Sequence, residues 1–210
     1  MHPQILEKGG KIVIIIGLCG GSGSGKSTVA NLLSERGVLH IDTDKLYRDI
    51  TSYRSECVCE IARAFGESIL NADGSLNRNV LAGIVFSDKE KHTKLNKIAH
   101  RHVLSKVREI INSQGCYEAV CVDAPMLFES GFDSECDVLL AVISPIDKRI
   151  ERIVARDSIS VSNAKARIDA QLSDVELTKR VDFVINNVGD LKELSDKVDA
   201  FIEYMNNKIK

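Results

Sequence analysis

The chain has 210 residues, 44% of them hydrophobic and 28% charged, the balance of an ordinary soluble fold with length enough for a sizeable core. A formal net charge of -2 gives no electrostatic reason to expect nucleic acid or an anionic membrane as partner. No apolar run approaches the roughly 18 residues of a membrane span, and Met1 to Lys11 lack the apolar stretch of an export leader, so a cytoplasmic protein is expected.

The first element in chain order is an apolar run from Ile12 to Gly17. Its residues are continuous rather than alternating, as in a parallel strand buried on both faces. Directly after it, Gly20-Gly21-Ser22-Gly23-Ser24-Gly25-Lys26-Ser27 fits G-x-x-x-x-G-K-[ST] without mismatch, and Thr28 to Leu33 open a helix. Strand, glycine loop and helix together predict a polyphosphate site, because close-wrapped glycines let successive N–H groups and a helix N-terminus converge on an anion. Gly21, Ser22, Gly23, Ser24, Gly25, Lys26, Ser27 and Thr28 are the expected ATP-binding residues. Lys26 would reach the β- and γ-phosphates and the Ser27 hydroxyl would hold Mg²⁺.

Val38 to Ile41 form the second strand, closed by Asp42 and followed by Asp44. Residues at the carboxyl ends of parallel strands face the ligand crevice. One carboxylate there would serve as metal partner and the other as general base, the alternative being a plain helix N-cap. From about Leu46 to Gly115 several helices interrupt the strand–helix rhythm, among them one opened by a capping box at Ser87-Asp88-Lys89-Glu90. The third strand, Ala119 to Val122, ends in Asp123, a position that usually acts on Mg²⁺ or its water shell. Val138 to Ile143 and Phe183 to Ile185 complete five strands. Between these last two, Arg149, Arg152 and Arg156 fall on one helix face at i, i+3 and i+7, with Arg167 beyond and a second capping box at Ser173 to Glu176. An arginine face could close over a triphosphate, but charge counting alone favours a solvated face. A C-terminal amphipathic helix runs from Leu191 to Tyr204. The six cysteines show no disulfide or zinc spacing and read as small buried thiols, and the five histidines show no metal spacing.

The loop Gly17 to Ala30 and the stretch Gly37-Val38-x-x-Ile41-Asp42-x-Asp44 resemble the opening of dephospho-CoA kinases. The resemblance continues through Gly74-x-Leu76-Asn77-Arg78-x-x-Leu81, Leu95-Asn96-x-Ile98-x-His100 and Pro125-x-Leu127-Phe128-Glu129-Ser130-Gly131. It ends with Arg152-x-x-x-Arg156-Asp157, Arg167-x-x-x-Gln171 and Asp182-x-Val184-Ile185-x-Asn187-x-Gly189. It implies an α/β P-loop kinase with a five-stranded parallel sheet, helices on both faces, and a single domain over 11–210. Core segments would be 11–45, 116–146 and 181–210, with an acceptor-binding helical insertion at 46–115 and a lid at 147–180. The implied reaction is ATP-dependent phosphorylation of the ribose 3′-hydroxyl of dephospho-coenzyme A, with Mg²⁺, ATP and dephospho-coenzyme A as the partners of a monomer. Asp44 would be the base, with Asp42 second choice. Ser27, Asp42 and Asp123 would attend the metal, Arg152 and Arg156 would clamp the phosphates, and Asn187 would approach the adenine. Arg78, His100, Pro125, Leu127 and Glu129 would meet the acceptor.

The chain departs from the family pattern at four places, one of them Lys148, where the family commonly has Gln at the start of the lid helix. Cys19 stands for the usual Thr and Ser22 for Ile, and His100-Arg101 replaces His-Pro, which predicts a straighter helix there. A second reading is another small-molecule kinase on this scaffold, acting on a nucleoside, nucleotide or sugar acid. A GTP-driven switch would need N-K-x-D and a transporter ATPase would need L-S-G-G-Q; the sequence holds neither.

Overall fold

The computed structural model describes residues 13–86, 88–113 and 116–208. The expectations for Met1 to Ile12, for Ser87 in the first capping box and for Gly115 lie outside those residues. The chain divides into two compact units, Met1–Ile41 with Gly115–Lys210, and Asp42–Gln114.

Five strands form the sheet: β1 (Ile14–Cys19), β2 (Leu39–Asp42), β3 (Ala119–Asp123), β4 (Val138–Ile143) and β5 (Phe183–Asn186). Their order is β2-β3-β1-β4-β5, with β1 parallel to β3 and β4, and β4 parallel to β5. The described helices are α1 (Lys26–Glu35), α2 (Thr43–Ile50), α3 (Glu56–Phe65), α4 (Arg78–Val85), α5 (Lys89–Ser113), α6 (Ile146–Asp157), α7 (Val161–Asp169), α8 (Asp174–Thr178) and α9 (Leu191–Lys208).

The apolar strand runs are continuous because both sheet faces are covered. On one face Ile16, Leu18, Cys121, Leu140 and Val142 pack with Val29 and Leu33 of α1 and with Leu194, Val198 and Phe201 of α9. Phe201 is fully buried and meets Phe183 edge-on at 5.4 Å; burying such a ring contributes roughly 1.5–3 kcal/mol. The other face tolerates no side chain at Gly17, where a Cβ would sit 2.8 Å from both Cys136 Sγ and Leu139 Cδ2 and 3.0 Å from Leu127 Cδ2. Leu127 is therefore a core residue, 1% exposed. The expectation that it meets the acceptor is corrected: its side chain is inside the fold.

Two aspartates fix strand register at the amino ends. Asp137 donates its N–H to the Ile15 carbonyl at 2.8 Å and accepts the Ile15 N–H on its carboxylate at 2.7 Å. Asp182 does the same to Leu139, at 3.0 and 2.8 Å. Burial pushes the Asp137 carboxyl above the usual carboxylate range, partly offset by that Ile15 N–H and by Lys208.

In the second unit, helices are started by side chains that accept the orphan N–H groups of a first turn. Ser55 accepts from Val58 N at 3.2 Å, Asn77 from Val80 N at 3.1 Å, and Asp88 from Glu90 N and Lys91 N at 3.1 Å each. α5 runs unbroken for 25 residues through His100 and Arg101, in keeping with the absent proline. Its His102 and Arg101 both bind Glu60 of α3, and their hydrogen bonds, His102 first, hold that carboxyl low. The capping box at Ser173 and Glu176 forms in full.

All six cysteines are free thiols. Burial pushes Cys19 up to about 12 and Cys57 up to about 11; Cys116 is the exposed one.

Candidate active site

The loop that follows β1 is shaped by glycines that a side chain would spoil. Gly25, at φ 101°, is the N-cap of α1, and a Cβ there would collide with Asn187 Nδ2. Gly23, at φ 75°, lies so near α6 that a Cβ would be 2.6 Å from the Arg149 carbonyl. Both are conformations L side chains avoid. Within the arch, Ser24 N bonds the Gly21 carbonyl at 3.1 Å and Thr28 N the Gly25 carbonyl at 3.0 Å.

Three consecutive loop carbonyls are gripped by side chains from far along the chain. Arg149 Nε donates to Ser22 O at 2.9 Å, Arg152 Nη1 to Gly23 O at 3.0 Å, and Asn187 Nδ2 to Ser24 O at 2.8 Å. Ser144 Oγ is within 3.1 Å of Arg152 and donates to the Asn187 carbonyl at 2.8 Å. Arg149 is 3% exposed, far from the solvated helix face that charge counting favours. Its remaining nitrogens meet Asp174 at 3.2 Å and Gln171 at 3.4 Å.

Three of the expected site residues make bonds within the protein. Ser22 donates its N–H to Gln171 Oε1 at 2.8 Å, and its carbonyl accepts from Arg149. Arg152 donates to the loop carbonyls of Gly23 at 3.0 Å and Ser24 at 3.4 Å. Asn187 is 6% exposed and its amide nitrogen is spent on the Ser24 carbonyl. Arg156 by contrast is exposed and pairs with Asp157 at 2.8 Å; Arg167 joins the same carboxylate. These two, Arg156 first, pull Asp157 down to about 2.

Lys26, Ser27 and Thr28 open α1 at the carboxyl end of β1. Asp123 closes β3, in register with Leu18 and 9% exposed. The Cys19 thiol, raised chiefly by burial, lies within electrostatic reach of both Lys26 and Asp123, so ammonium and carboxylate share one locale. Pro125 and Glu129 are exposed on the segment after β3. Among the described residues no three His, Cys, Asp or Glu side chains gather as a metal cluster.

In the second unit, Asp42 is the N-cap of α2, its Oδ1 accepting Lys45 N at 2.9 Å. The alternative of a plain cap is thus realised at Asp42, and Asp44 lies exposed in the first turn. Arg78 starts α4, bonds Thr51 Oγ1 at 2.5 Å and lies 5.3 Å from the centre of the Tyr47 ring. Arg78 and Tyr47 border a cavity of about 690 Å³ lined also by Leu81, Val85, Phe86 and His92. Phe86, 92% exposed, stands at this cavity as an apolar surface with little protein against it. His100 is half-buried on α5 and does not line that cavity.

A phosphate-binding loop between β1 and α1, on a parallel sheet of order 2-3-1-4-5 with its carboxylate on β3, defines a P-loop kinase. A family model described as Dephospho-CoA kinase matches residues 14–193. A dephospho-CoA kinase of Fusobacterium nucleatum is 41% identical over 91% of this chain and 98% of its own. One from Listeria monocytogenes is 39% identical over 92% and 98%. The chain belongs to the dephospho-CoA kinase family. Among solved structures, a Thermus thermophilus protein superimposes with a TM-score of 0.78 at 34% identity, covering 91% of this chain and 97% of its own. Dephospho-CoA kinase from Campylobacter jejuni gives 0.67 at 25%, covering 93% and 98%. A shikimate kinase from Acinetobacter baumannii, at 0.55 and 19% over 94% and 96% of the two chains, shares the fold. No helix among the described residues is long and apolar enough to cross a membrane.

Proposed function

We propose that the family's reaction, transfer of the ATP γ-phosphoryl to the ribose 3′-hydroxyl of dephospho-coenzyme A, is carried out by the glycine loop together with Asp44. The observation that carries this reading is the grip on the Ser22, Gly23 and Ser24 carbonyls. With those oxygens bound on one side, and Ser24 N and Thr28 N used inside the arch, the amides of Gly23, Gly25, Lys26 and Ser27 are left for phosphate oxygens. Lys26 adds the ammonium that follows charge onto the transferring group.

Mg²⁺ suits the oxygens available. Ser27 Oγ and the Asp123 carboxylate are hard donors, and Mg²⁺ typically takes one or two protein oxygens and completes its shell with phosphates and water. When bound, it neutralises charge on the β- and γ-phosphates. Asp44 accepts the proton of the 3′-hydroxyl; being exposed at a helix start, it is accessible to a substrate. The acceptor occupies the cavity beside Arg78, whose mixture of cations and apolar side chains suits a phosphate-bearing ligand with a long arm. Arg156, the arginine of its helix face that the loop does not occupy, exchanges Asp157 for phosphate when the lid expected at 147–180 closes, with Arg149, Arg152 and Gln171 staying on the loop as its anchors. The protein works in the cytoplasm as a monomer, in keeping with its free thiols.

The test is an ADP-release assay with dephospho-coenzyme A and its 3′-deoxy analogue. Turnover to a phosphorylated product is expected with the first alone. Asp44→Asn should lower kcat about 100-fold or more with ATP affinity kept, the usual scale for a positioned base. A phosphorylated product from the 3′-deoxy compound would overturn the assignment.

A further inference from the structure

Ser22 is held at every polar atom it has. Its N–H donates to Gln171 Oε1 at 2.8 Å, its carbonyl accepts from Arg149 Nε at 2.9 Å, and its hydroxyl accepts from Gln171 Nε2 at 3.1 Å. The two side chains are 127 and 149 residues away in sequence; they are joined to each other, and Arg149 also to Asp174. Arg149 passes so close beneath Gly21 that a Cβ there would overlap its guanidinium. A buried guanidinium needs partners for its donors, and here a loop carbonyl, an amide oxygen and a carboxylate supply them.

From this geometry we infer that Arg149, with Gln171, is a positioning residue for the phosphate loop. It reaches neither the nucleotide nor the acceptor. It sets the pitch of the loop by fixing Ser22, the last residue before the amides assigned to phosphate. The inference rests on the loop being the nucleotide site. It goes further in assigning the loop's shape to residues 149, 171 and 174 instead of to its glycines alone. The hydroxyl of Ser22 is integral to the clamp: an aliphatic residue at that position would leave Gln171 Nε2 without this acceptor.

A single charge-assisted hydrogen bond contributes on the order of a tenfold change in an equilibrium constant or more. Arg149→Met keeps the stem and removes the fork. It is expected to raise the KM for ATP about tenfold or more while the KM for dephospho-coenzyme A stays within about twofold. Arg149→Lys should recover only part of the loss, because an ammonium cannot span the Ser22 carbonyl, Gln171 and Asp174 together. Gln171 is exposed, so Gln171→Ala will fold even where the Arg149 variants do not. It should raise the ATP KM in the same direction, and the Gln171→Ala/Ser22→Ala double variant should cost less than the sum of the singles. An ATP KM unchanged in both Arg149→Met and Gln171→Ala, with only melting temperature lowered, would overturn the inference. If the nucleotide-site reading itself were wrong, Lys26→Ala would also leave ATP affinity untouched, which separates the two failures.

Discussion

Asp42 caps a helix and is also expected near the metal, and substitutions of different shape pull the two apart. Its Oδ1 caps α2 by accepting Lys45 N at 2.9 Å, in a helix of only eight residues. Asp42→Ala removes both the acceptor and a negative charge at a helix N-terminus, together about 1–2 kcal/mol. For a chain of this length that is roughly a 2–8 °C drop in Tm, since each kcal/mol shifts it by about 2–4 °C. Asp42→Asn keeps a side-chain oxygen of equal capping strength and loses only the charge, so less than half of that drop is expected. Metal dependence should follow a different order. If the carboxylate attends Mg²⁺, Asn and Ala should both raise the Mg²⁺ concentration for half-maximal turnover, Asn no less than Ala. The assay pairs differential scanning calorimetry of the three proteins with Mg²⁺ titrations of ADP release, ATP affinity being measured separately. Equal melting temperatures for the Asn and Ala variants would refute the cap as the stabilising contact. Mg²⁺ requirements equal to wild type in both would remove Asp42 from the metal's surroundings.

Two other expectations follow from the same geometry. Gly25→Ala places a methyl group against Asn187 Nδ2 at φ 101°, which breaks the bond to Ser24 O and adds about 1–2 kcal/mol of backbone strain. Calorimetry should show lower Tm and at least about tenfold weaker ATP binding, and unaltered binding would mean that the loop does not depend on its αL glycine. Asp157 is held down to about 2 by Arg156 and then Arg167. A depressed carboxyl stabilises above its unfolded value near 3.9 and loses that contribution as pH falls toward 2. Stability should therefore decline across that window by less in Asp157→Asn than in wild type, and parallel acid-melting curves would contradict the pairing.

The strands and the phosphate loop were legible because each is a local signal: a continuous apolar run, or glycines at fixed spacing between strand and helix. Phe183 to Ile185, a weak run of three, was found in the same way and is β5. The clamp was not legible. The i, i+3, i+7 spacing of Arg149, Arg152 and Arg156 marks a face but not what lies opposite it, and the partner carbonyls are more than 120 residues away. The one available signal was Ser22, a polar residue at a position the family fills with Ile, and it points to a partner without naming Arg149 or Gln171. Leu127 misled for a related reason. It sits in a family motif beside exposed Pro125 and Glu129, but it fills the space above a glycine in β1, and a motif does not record which of its members face inward. Asp42 shows the converse, where a bland local reading, the helix cap, is what the backbone uses.

The paired aspartates at the amino ends of β4 and β5 have a consequence at the opposite end of the sheet. Asp137 and Asp182 each bind one neighbouring residue through both N–H and carboxylate, so a slip of one residue would break two bonds at once and turn the strand inside out. Alignment is thereby guaranteed from the edge that does no chemistry. The strands arrive flush where Cys19, Asp123 and Ile143 release the chain into its loops, and those loops need not be stiff enough to hold the strands in step. The working edge is left free to change its residues, as at Cys19 and Ser22, without the scaffold losing its alignment.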